Sequence, residues 1–189
     1  MYRNEAQTRF ELIDPAIERR GWSRDLIKVE KTPGGVDILP DGTTRKRRGR
    51  SDYLLCLPSS PGLLPLPVAI IEAKKEDSSP SRGLQQAQDY ARKFNVPFAF
   101  SSNGVLFTEY AEDTNLISEP RSLEHFPTPD ELRRRYESFR KIQIDSAAAR
   151  ALFIQYKSGE ATRFYYQDAA IRAAIEKMAM PGRAGKRVL

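Results

Sequence analysis

Two acidic residues and a lysine occupy positions where neighbouring strands would bring them together. Glu72 and Lys74 end the apolar run 70–74, and they share one face because side chains alternate along a strand. Asp52 begins the preceding strand, so an antiparallel pairing through a proline-rich loop would place it beside Glu72. Two carboxylates suit Mg²⁺ or Mn²⁺, and a nearby lysine can orient a water molecule and offset charge on a phosphate. The set predicts hydrolysis of a phosphodiester.

The same residues have a simpler interpretation as charges on the rim of a sheet. An exposed Glu72–Lys74 pair would then contribute little to stability, and any isolated E-x-K sequence fits that description. The context favours a site, because the strand that ends at Lys74 is apolar and Asp52 begins its neighbour.

A run of positive charge stands just before Asp52. Its five basic residues are Arg45, Lys46, Arg47, Arg48 and Arg50. The whole chain has a net charge of +6, which favours an anionic partner, and nucleic acid is the leading candidate. We interpret the run as a contact to DNA phosphates; the alternative is a solvated turn that resists edge aggregation. A second run, 133–135, is expected to be a solvated helix face.

The composition excludes several classes of protein. With 189 residues the chain is long enough for a domain with a real core. Cys56 is the single cysteine, which excludes an internal disulfide and a cysteine-based zinc cluster, and the single histidine, His125, excludes a catalytic pair of imidazoles. No apolar run could span a membrane and the amino terminus lacks a signal-peptide core, which predicts a cytoplasmic location without membrane contact.

Strands and helices must position these residues. A helix is predicted over 8–20, in which Pro15 either kinks the helix or restarts it with Asp14 as the cap. The other predicted elements are strands over 26–30, 36–39, 51–57 and 68–74 in an antiparallel meander, an irregular loop over 58–67, a helix from Ser79-Pro80 to 94, strands over 98–101 and 105–110 around an Asn103-Gly104 turn, and helices over 130–141, 146–156 and 167–180.

In this order the motifs resemble the PD-(D/E)xK nuclease superfamily, with Asp52 as the first acid and Glu72-Ala73-Lys74 as the (D/E)xK element. More narrowly, residues 5–115 are similar to the amino-terminal, RecB-like endonuclease domain of the R (motor) subunit of type I restriction-modification enzymes. The matching segments are 8–15, 21–22, 49–53, 70–74, 86–91 and 101–104. Ser51 stands where other restriction nucleases often have proline, which fits this subfamily.

The resemblance implies an α/β restriction-endonuclease-like core, with a central mixed sheet flanked by helices, followed by a helical connector. It implies a Mg²⁺-dependent DNA endonuclease in which Mn²⁺ substitutes. Asp52, Glu72 and the backbone carbonyl of Ala73 would bind the metal, and Lys74 would position the attacking water. Double-stranded DNA would be the substrate, and methylase and specificity subunits the partners in an ATP-dependent complex.

The resemblance adds three candidate catalytic residues. Gln86 and Tyr90 correspond to a Q-x-x-x-Y element that supports the active site and DNA, and their i, i+4 spacing places both on one helix face. By themselves they would be ordinary boundary residues. Glu11 is either an additional acid aimed at the metal or the glutamate of a capping box that begins at Thr8, and both interpretations stay open.

The resemblance also divides the chain. We expect a nuclease domain over 1–120, a helical connector over 121–160 and, over 161–189, the start of a motor domain in which Gln167 would bind adenine. The chain has no G-x-x-x-x-G-K-[ST] phosphate loop, so ATP would bind only to the full-length subunit. We therefore expect a truncated or split form of that subunit.

Two other functions are open at this point. One is a catalytically inactive nuclease-fold module that binds DNA or docks a motor onto its partners, which the basic run would suit. The other is a stand-alone RecB-like repair nuclease.

Overall fold

The apolar strands of the chain form a mixed seven-stranded sheet, in the order β1-β4-β5-β6-β7-β8 with β9 also paired to β7. A computed structural model describes residues 2–31, 36–38, 44–46, 50–59, 63–147, 149–153 and 165–180. The strands are β1 (Ile27–Lys31), β2 (Val36–Ile38), β3 (Thr44–Lys46), β4 (Ser51–Leu57), β5 (Leu66–Ala73), β6 (Phe98–Ser102), β7 (Leu106–Ala111), β8 (Leu116–Ile117) and β9 (Arg121–Ser122).

Helices flank this sheet, as the sequence predicts. They are α1 (Glu5–Thr8), α2 (Asp14–Arg19), α3 (Leu84–Phe94), α4 (Pro129–Arg140) and α5 (Tyr165–Ala179), with a π-helical turn (Arg9–Ile13) between α1 and α2 and short 3-10 helices at Arg24–Leu26, Leu123–His125 and Ala149–Phe153. None of the described helices is long and apolar enough to cross a membrane.

One connection in the sheet is parallel, and it determines where polar side chains collect. β5 and β6 run in the same direction with Ala73 opposite Ser102, and α3 is the crossover helix between them. β4 is antiparallel to β5. The carboxyl ends of β5 and β6, the start of β4 and the start of α3 therefore meet at one end of the sheet.

The two faces of the sheet have separate cores. The larger core packs α2 and α4 on the sheet, and its largest side chains are Trp22, Tyr53, Tyr136, Phe98, Phe100, Phe107 and Phe126. The smaller core packs α3 against Leu54, Cys56, Ile70 and Ala99. Because side chains alternate along β4 and β5, the residues two positions from Leu54 and Ile70 also face α3. Those residues are Asp52 and Glu72.

The first helix begins earlier than predicted. The Asn4 side chain accepts a hydrogen bond from the backbone of Gln7, and the Gln7 side chain accepts one from the backbone of Asn4. This capping box starts the helix at Glu5 instead of residue 8. Pro15 then lies in the first turn of α2, and Ile13 and Asp14 before it both have helical φ and ψ. The helical conformation therefore continues through a π-helical turn into α2, and the predicted restart with Asp14 as the cap is wrong.

Several predicted boundaries are wrong. The segment 36–39 does not join the meander, because β2 pairs with β3 in a separate two-stranded ribbon. The predicted loop 58–67 ends early: β5 begins at Leu66, and Pro67 lies opposite Cys56 where the pairing register shifts, a place where proline is tolerated. The helix predicted from residue 79 begins at Leu84, because 80–83 form turns.

The later part of the chain also differs from the prediction. The helix predicted over 146–156 is a 3-10 helix over Ala149–Phe153, and 154–156 lie outside the described residues. Arg135 does not belong to a solvated face, since it pairs with the buried carboxylate of Glu109 and lies 4.4 Å from the ring centroid of Phe98. The division at residue 120 stays a prediction, although β9 and α4 pack with the seven-stranded sheet.

The Asn103-Gly104 turn and the first helix fit closely against each other. Gly104 has a φ of +87°, and a Cβ there would lie 2.7 Å from Leu12 Cδ1 and 2.8 Å from Thr8 Cγ2. Gly21 has a similar φ of +91°, but its Cβ would meet only Pro129 Cδ at an ordinary 3.6 Å.

We expect Gly104→Ala to lower the free energy of unfolding by about 2–4 kcal/mol, because it adds overpacking to backbone strain. Gly21→Ala carries the strain alone and is expected to cost about 1–2 kcal/mol. Urea unfolding of both variants measures the difference. Equal losses would show that the helix does not press on the turn.

Candidate active site

The antiparallel register of β4 and β5 brings Asp52 and Glu72 together. Tyr53 pairs with Ile71, so Asp52 and Glu72 stand at the next positions of the two strands. The backbone N–H of Asp52 donates to Glu72 Oε1 at 3.4 Å. The structure therefore places these two acids side by side, as the sequence predicts.

The carboxylate of Asp52 is held at both oxygens. Oδ2 accepts a hydrogen bond from the backbone N–H of Ala73 at 2.8 Å, which ties the side chain to the end of β5. Oδ1 accepts from Arg9 Nη1 at 3.2 Å. The first contact fixes the rotamer of Asp52 through the sheet, whereas the second comes from the amino-terminal helix.

Glu72 is almost completely buried, with 1% of the residue exposed. Burial, and after it the nearby charge of Asp52, raises the pKa of its carboxyl group to about 8, while the ammonium of Lys74 acts in the opposite direction. Without a bound cation, Glu72 therefore holds a proton at neutral pH. A divalent ion held by both carboxylates would favour the ionised form of Glu72 and displace this proton.

Lys74 lies between the acids and α3. Its Nζ is 3.9 Å from Glu72 Oε2 and donates to Gln86 Oε1 at 3.3 Å. Gly83, just before α3, makes this approach possible: a Cβ there would lie 2.7 Å from Lys74 Cε and 2.7 Å from Ser101 Oγ. The backbone N–H of Gly83 donates to Ser101 Oγ at 3.0 Å, which fixes the start of α3 at the site.

Tyr90 follows Gln86 by one helical turn and faces the same group of charges. Its pKa is raised by burial first and then by the charge of Glu72, with a smaller effect from Asp52, while a hydrogen bond with Gln86 lowers it. The structure thus brings both residues of the predicted Q-x-x-x-Y element to the acids.

The Asn103 side chain organises the loop that follows Lys74. Its Nδ2 donates to the backbone carbonyls of Glu76 at 3.3 Å and Ser78 at 2.9 Å. Its Oδ1 accepts from the backbone N–H groups of Val105 and Leu106 at 3.1 and 2.9 Å. The turn after β6 and the loop after β5 are therefore held together beside the site.

Glu11 does not belong to the capping box predicted at Thr8, and its role as an additional acid at the metal stays a prediction. It forms an ion pair with Arg3 at 2.6 Å, and it caps no helix end, because the capping box belongs to Asn4 and Gln7. Glu5 is the carboxylate of the first helix whose charge raises the pKa of Glu72.

Arg9 and Glu5 are site residues that the sequence reasoning missed. Their i, i+4 spacing was a usable signal, since it places both on one face of the first helix.

The basic run is described only in part. Arg47 and Arg48 lie outside the described residues, and Arg45 and Lys46 are described only as backbone of β3. Arg50 is exposed and pairs with Glu30 at 3.0 Å. Lys31 at the end of β1 pairs with Ser51 at the start of β4. The two ends of the connection between these strands therefore lie at the end of the sheet where Asp52 lies.

The donor set suits a hard divalent cation. Among the described residues, no three His, Cys, Asp or Glu side chains stand close enough to hold a metal ion. The carboxylates of Asp52 and Glu72 and the backbone carbonyl of Ala73 could hold a cation together with water or phosphate oxygens. The buried, neutral carboxyl group of Glu72 beside Asp52 fits such an ion.

Two known proteins resemble this chain, and no protein-family model matches it. An endonuclease subunit of the type I restriction enzyme EcoAI from Escherichia coli is 28% identical over 179 residues, which cover 91% of this chain and 21% of that subunit. The solved structure of a fragment assigned to the HsdR subunit of a type I restriction enzyme from Vibrio vulnificus YJ016 is 31% identical, with a TM-score of 0.73 over 95% of this chain and 33% of that one.

The chain is an α/β domain, a mixed seven-stranded sheet flanked by helices, with the fold of this HsdR fragment. Within that class, the resemblance to the amino-terminal endonuclease domain of type I R subunits is confirmed in both sequence and structure. The chain spans about a fifth and a third of the lengths of these two relatives.

The raised pKa of Glu72 predicts that the free energy of unfolding depends on pH when a chelator keeps divalent ions away from the protein. The carboxyl group is protonated in the folded state up to about pH 8 but ionised in the unfolded chain above its ordinary value of 4.5, so the folded state loses stability as pH rises between these values. The expected loss is on the order of a few kcal/mol, and Glu72→Gln should remove it.

Urea unfolding of both proteins at about pH 5.5 and about pH 8 measures the effect. Glu76→Gln is the control, because a backbone hydrogen bond from Arg3 lowers the pKa of Glu76 and its contribution is constant above the ordinary value. The prediction would be contradicted if the free energy of unfolding of Glu72→Gln had the same pH dependence as that of the wild type.

Proposed function

We propose that this chain is the nuclease part of a type I restriction enzyme R subunit and hydrolyses phosphodiester bonds of double-stranded DNA with Mg²⁺, or Mn²⁺ in its place. The observation that supports this most is the contact of Asp52 with Glu72 across β4 and β5, with Lys74 at the end of the same strand.

Each residue has a role that follows from its position. Asp52, Glu72 and the carbonyl of Ala73 would hold the ion, which when bound supplies Lewis acidity toward a phosphate oxygen and water. Lys74 reaches the same point from β5, where its ammonium orients the attacking water and offsets the charge that develops on the phosphate. Gln86 keeps Lys74 in place through the 3.3 Å hydrogen bond.

Tyr90 is a positioning residue that closes the α3 side of the site. It is buried among the charges of Glu72 and Asp52, so its ring and hydroxyl limit the water around the acids.

The charge of the chain suits DNA without selecting a base sequence. The basic residues Arg45, Lys46, Arg47, Arg48 and Arg50 would contact backbone phosphates, which carry no sequence information. We propose that recognition is left to the specificity subunit of a cytoplasmic complex that also contains methylase subunits. ATP, with Gln167 as the adenine contact, would belong to the full-length subunit.

A lysine pair tests this proposal. We expect Lys74→Ala, in the full-length R subunit assembled with its partners, to lower DNA cleavage about 100-fold or more while ATP-driven translocation continues. Lys75→Ala is the matched control, since Lys75 is the exposed neighbour and should leave both activities unchanged. Plasmid cleavage and a translocation assay measure the two functions.

If Lys74→Ala still cleaved DNA, the lysine would have no role in the hydrolysis. If Asp52→Asn also left cleavage unchanged, the inactive DNA-binding or docking module would replace the nuclease.

A further inference from the structure

Arg9 occupies the oxygen of Asp52 that the backbone leaves available. Asp52 Oδ2 is tied to the amide of Ala73 at 2.8 Å, and Oδ1 accepts from Arg9 Nη1 at 3.2 Å. Most of the arginine side chain is shielded from solvent, with 21% of it exposed. A guanidinium therefore provides positive charge directly beside Asp52.

The guanidinium also has a second carboxylate within reach. Arg9 Nη1 lies 3.7 Å from Glu30 Oε1, whose side chain is half exposed. Its Cζ lies 5.1 Å from the ring centroid of Tyr53, whose hydroxyl donates to Asp14 Oδ1 at 2.6 Å. The ring is thus a fixed platform, and Arg9 can move toward Glu30 without losing a counter-charge.

A divalent ion bound by Asp52 would stand close to this guanidinium. Two cations on one carboxylate repel each other, and in a partly buried site the repulsion is weakly screened. We propose that Arg9 is a built-in counter-cation of Asp52 which competes with the divalent metal and thereby lowers its affinity in the absence of DNA. This inference rests on the proposed function.

The same arrangement links metal binding to the substrate. With the acids ionised and a divalent ion present, the charges of Asp52, Glu72, Lys74 and Arg9 together with the ion leave the cluster positive. A DNA phosphate offsets that charge and gives the displaced guanidinium an oxygen acceptor. Metal and DNA binding then strengthen each other, and by linkage the effect is reciprocal.

The inference is tested by titrating Mn²⁺ into this chain in the absence of DNA. Electron paramagnetic resonance measures the free Mn²⁺ at each step. We expect Arg9→Ala to bind Mn²⁺ about tenfold more tightly than the wild type, because the competing charge is gone. Arg9→Lys keeps the charge and should stay within about threefold of the wild type. Arg9→Gln retains much of the packing over Tyr53 and replaces Arg9→Ala if that variant does not fold.

Two controls separate the possible causes. Arg24→Ala removes an exposed arginine that pairs with Glu18, at 3.1 Å, and should leave the Mn²⁺ affinity unchanged. Adding Asp52→Asn to the Arg9→Ala variant should abolish the tight binding of Mn²⁺. If Arg9→Ala binds Mn²⁺ no more tightly than the wild type while Asp52→Asn weakens binding, the inference about Arg9 fails and the proposed metal site stands. If Asp52-dependent binding is absent from every variant, both fail.

Discussion

The structure depends on the pairing of β4 with β5, because that register places two carboxylates next to each other in a largely buried position. Burial and the charge of Asp52 keep a proton on Glu72 until positive charge arrives. Folding alone would not favour such a pair, since an apolar residue in place of Glu72 would be easier to bury. A site for a divalent cation, as proposed, would account for this arrangement.

Elements around the acids limit how far this arrangement can move. The amide of Ala73 fixes Asp52, and the Asn103 side chain fixes the loop that leads away from Lys74. Gly83 lets α3 approach closely enough for Gln86 to reach the lysine. Because these contacts come from the sheet, the crossover and a turn, the lysine and acids keep their relative positions as long as the sheet is intact. The only direct cationic contact to Asp52 from the first helix is Arg9, among the residues that the structure describes.

Sequence reasoning identified the residues whose positions follow from local periodicity. Strand alternation and antiparallel pairing are enough to place Glu72, Lys74 and Asp52, whereas Gln86 and Tyr90 are identified by the family resemblance, with which their i, i+4 spacing agrees. Sequence reasoning fails where the position depends on how elements pack, and for this reason it does not identify Arg9. Glu11 is a candidate from the resemblance, and the capping box predicted at Thr8 lies one turn earlier, at Asn4.

The ends of the helices and strands were also predicted less well where they depend on packing between elements. β3 was missed because a short ribbon outside the main core has no alternating apolar pattern, and Pro67 concealed the start of β5. The start of α3 could not be derived from Ser79-Pro80, because the contact of Gly83 with Ser101 and Lys74 determines it. The sequence predicts Arg135 as a surface charge, but Arg135 forms an ion pair with the buried carboxylate of Glu109 on β7.

The most direct test of the account is calorimetric titration of Mn²⁺ into the wild-type chain and Asp52→Asn at about pH 7, in two buffers with different ionisation enthalpies. The account predicts binding that Asp52→Asn removes, with about one proton released from Glu72 per ion bound. Binding that survives Asp52→Asn, or binding without proton release, would contradict the claim that the two acids share one cation.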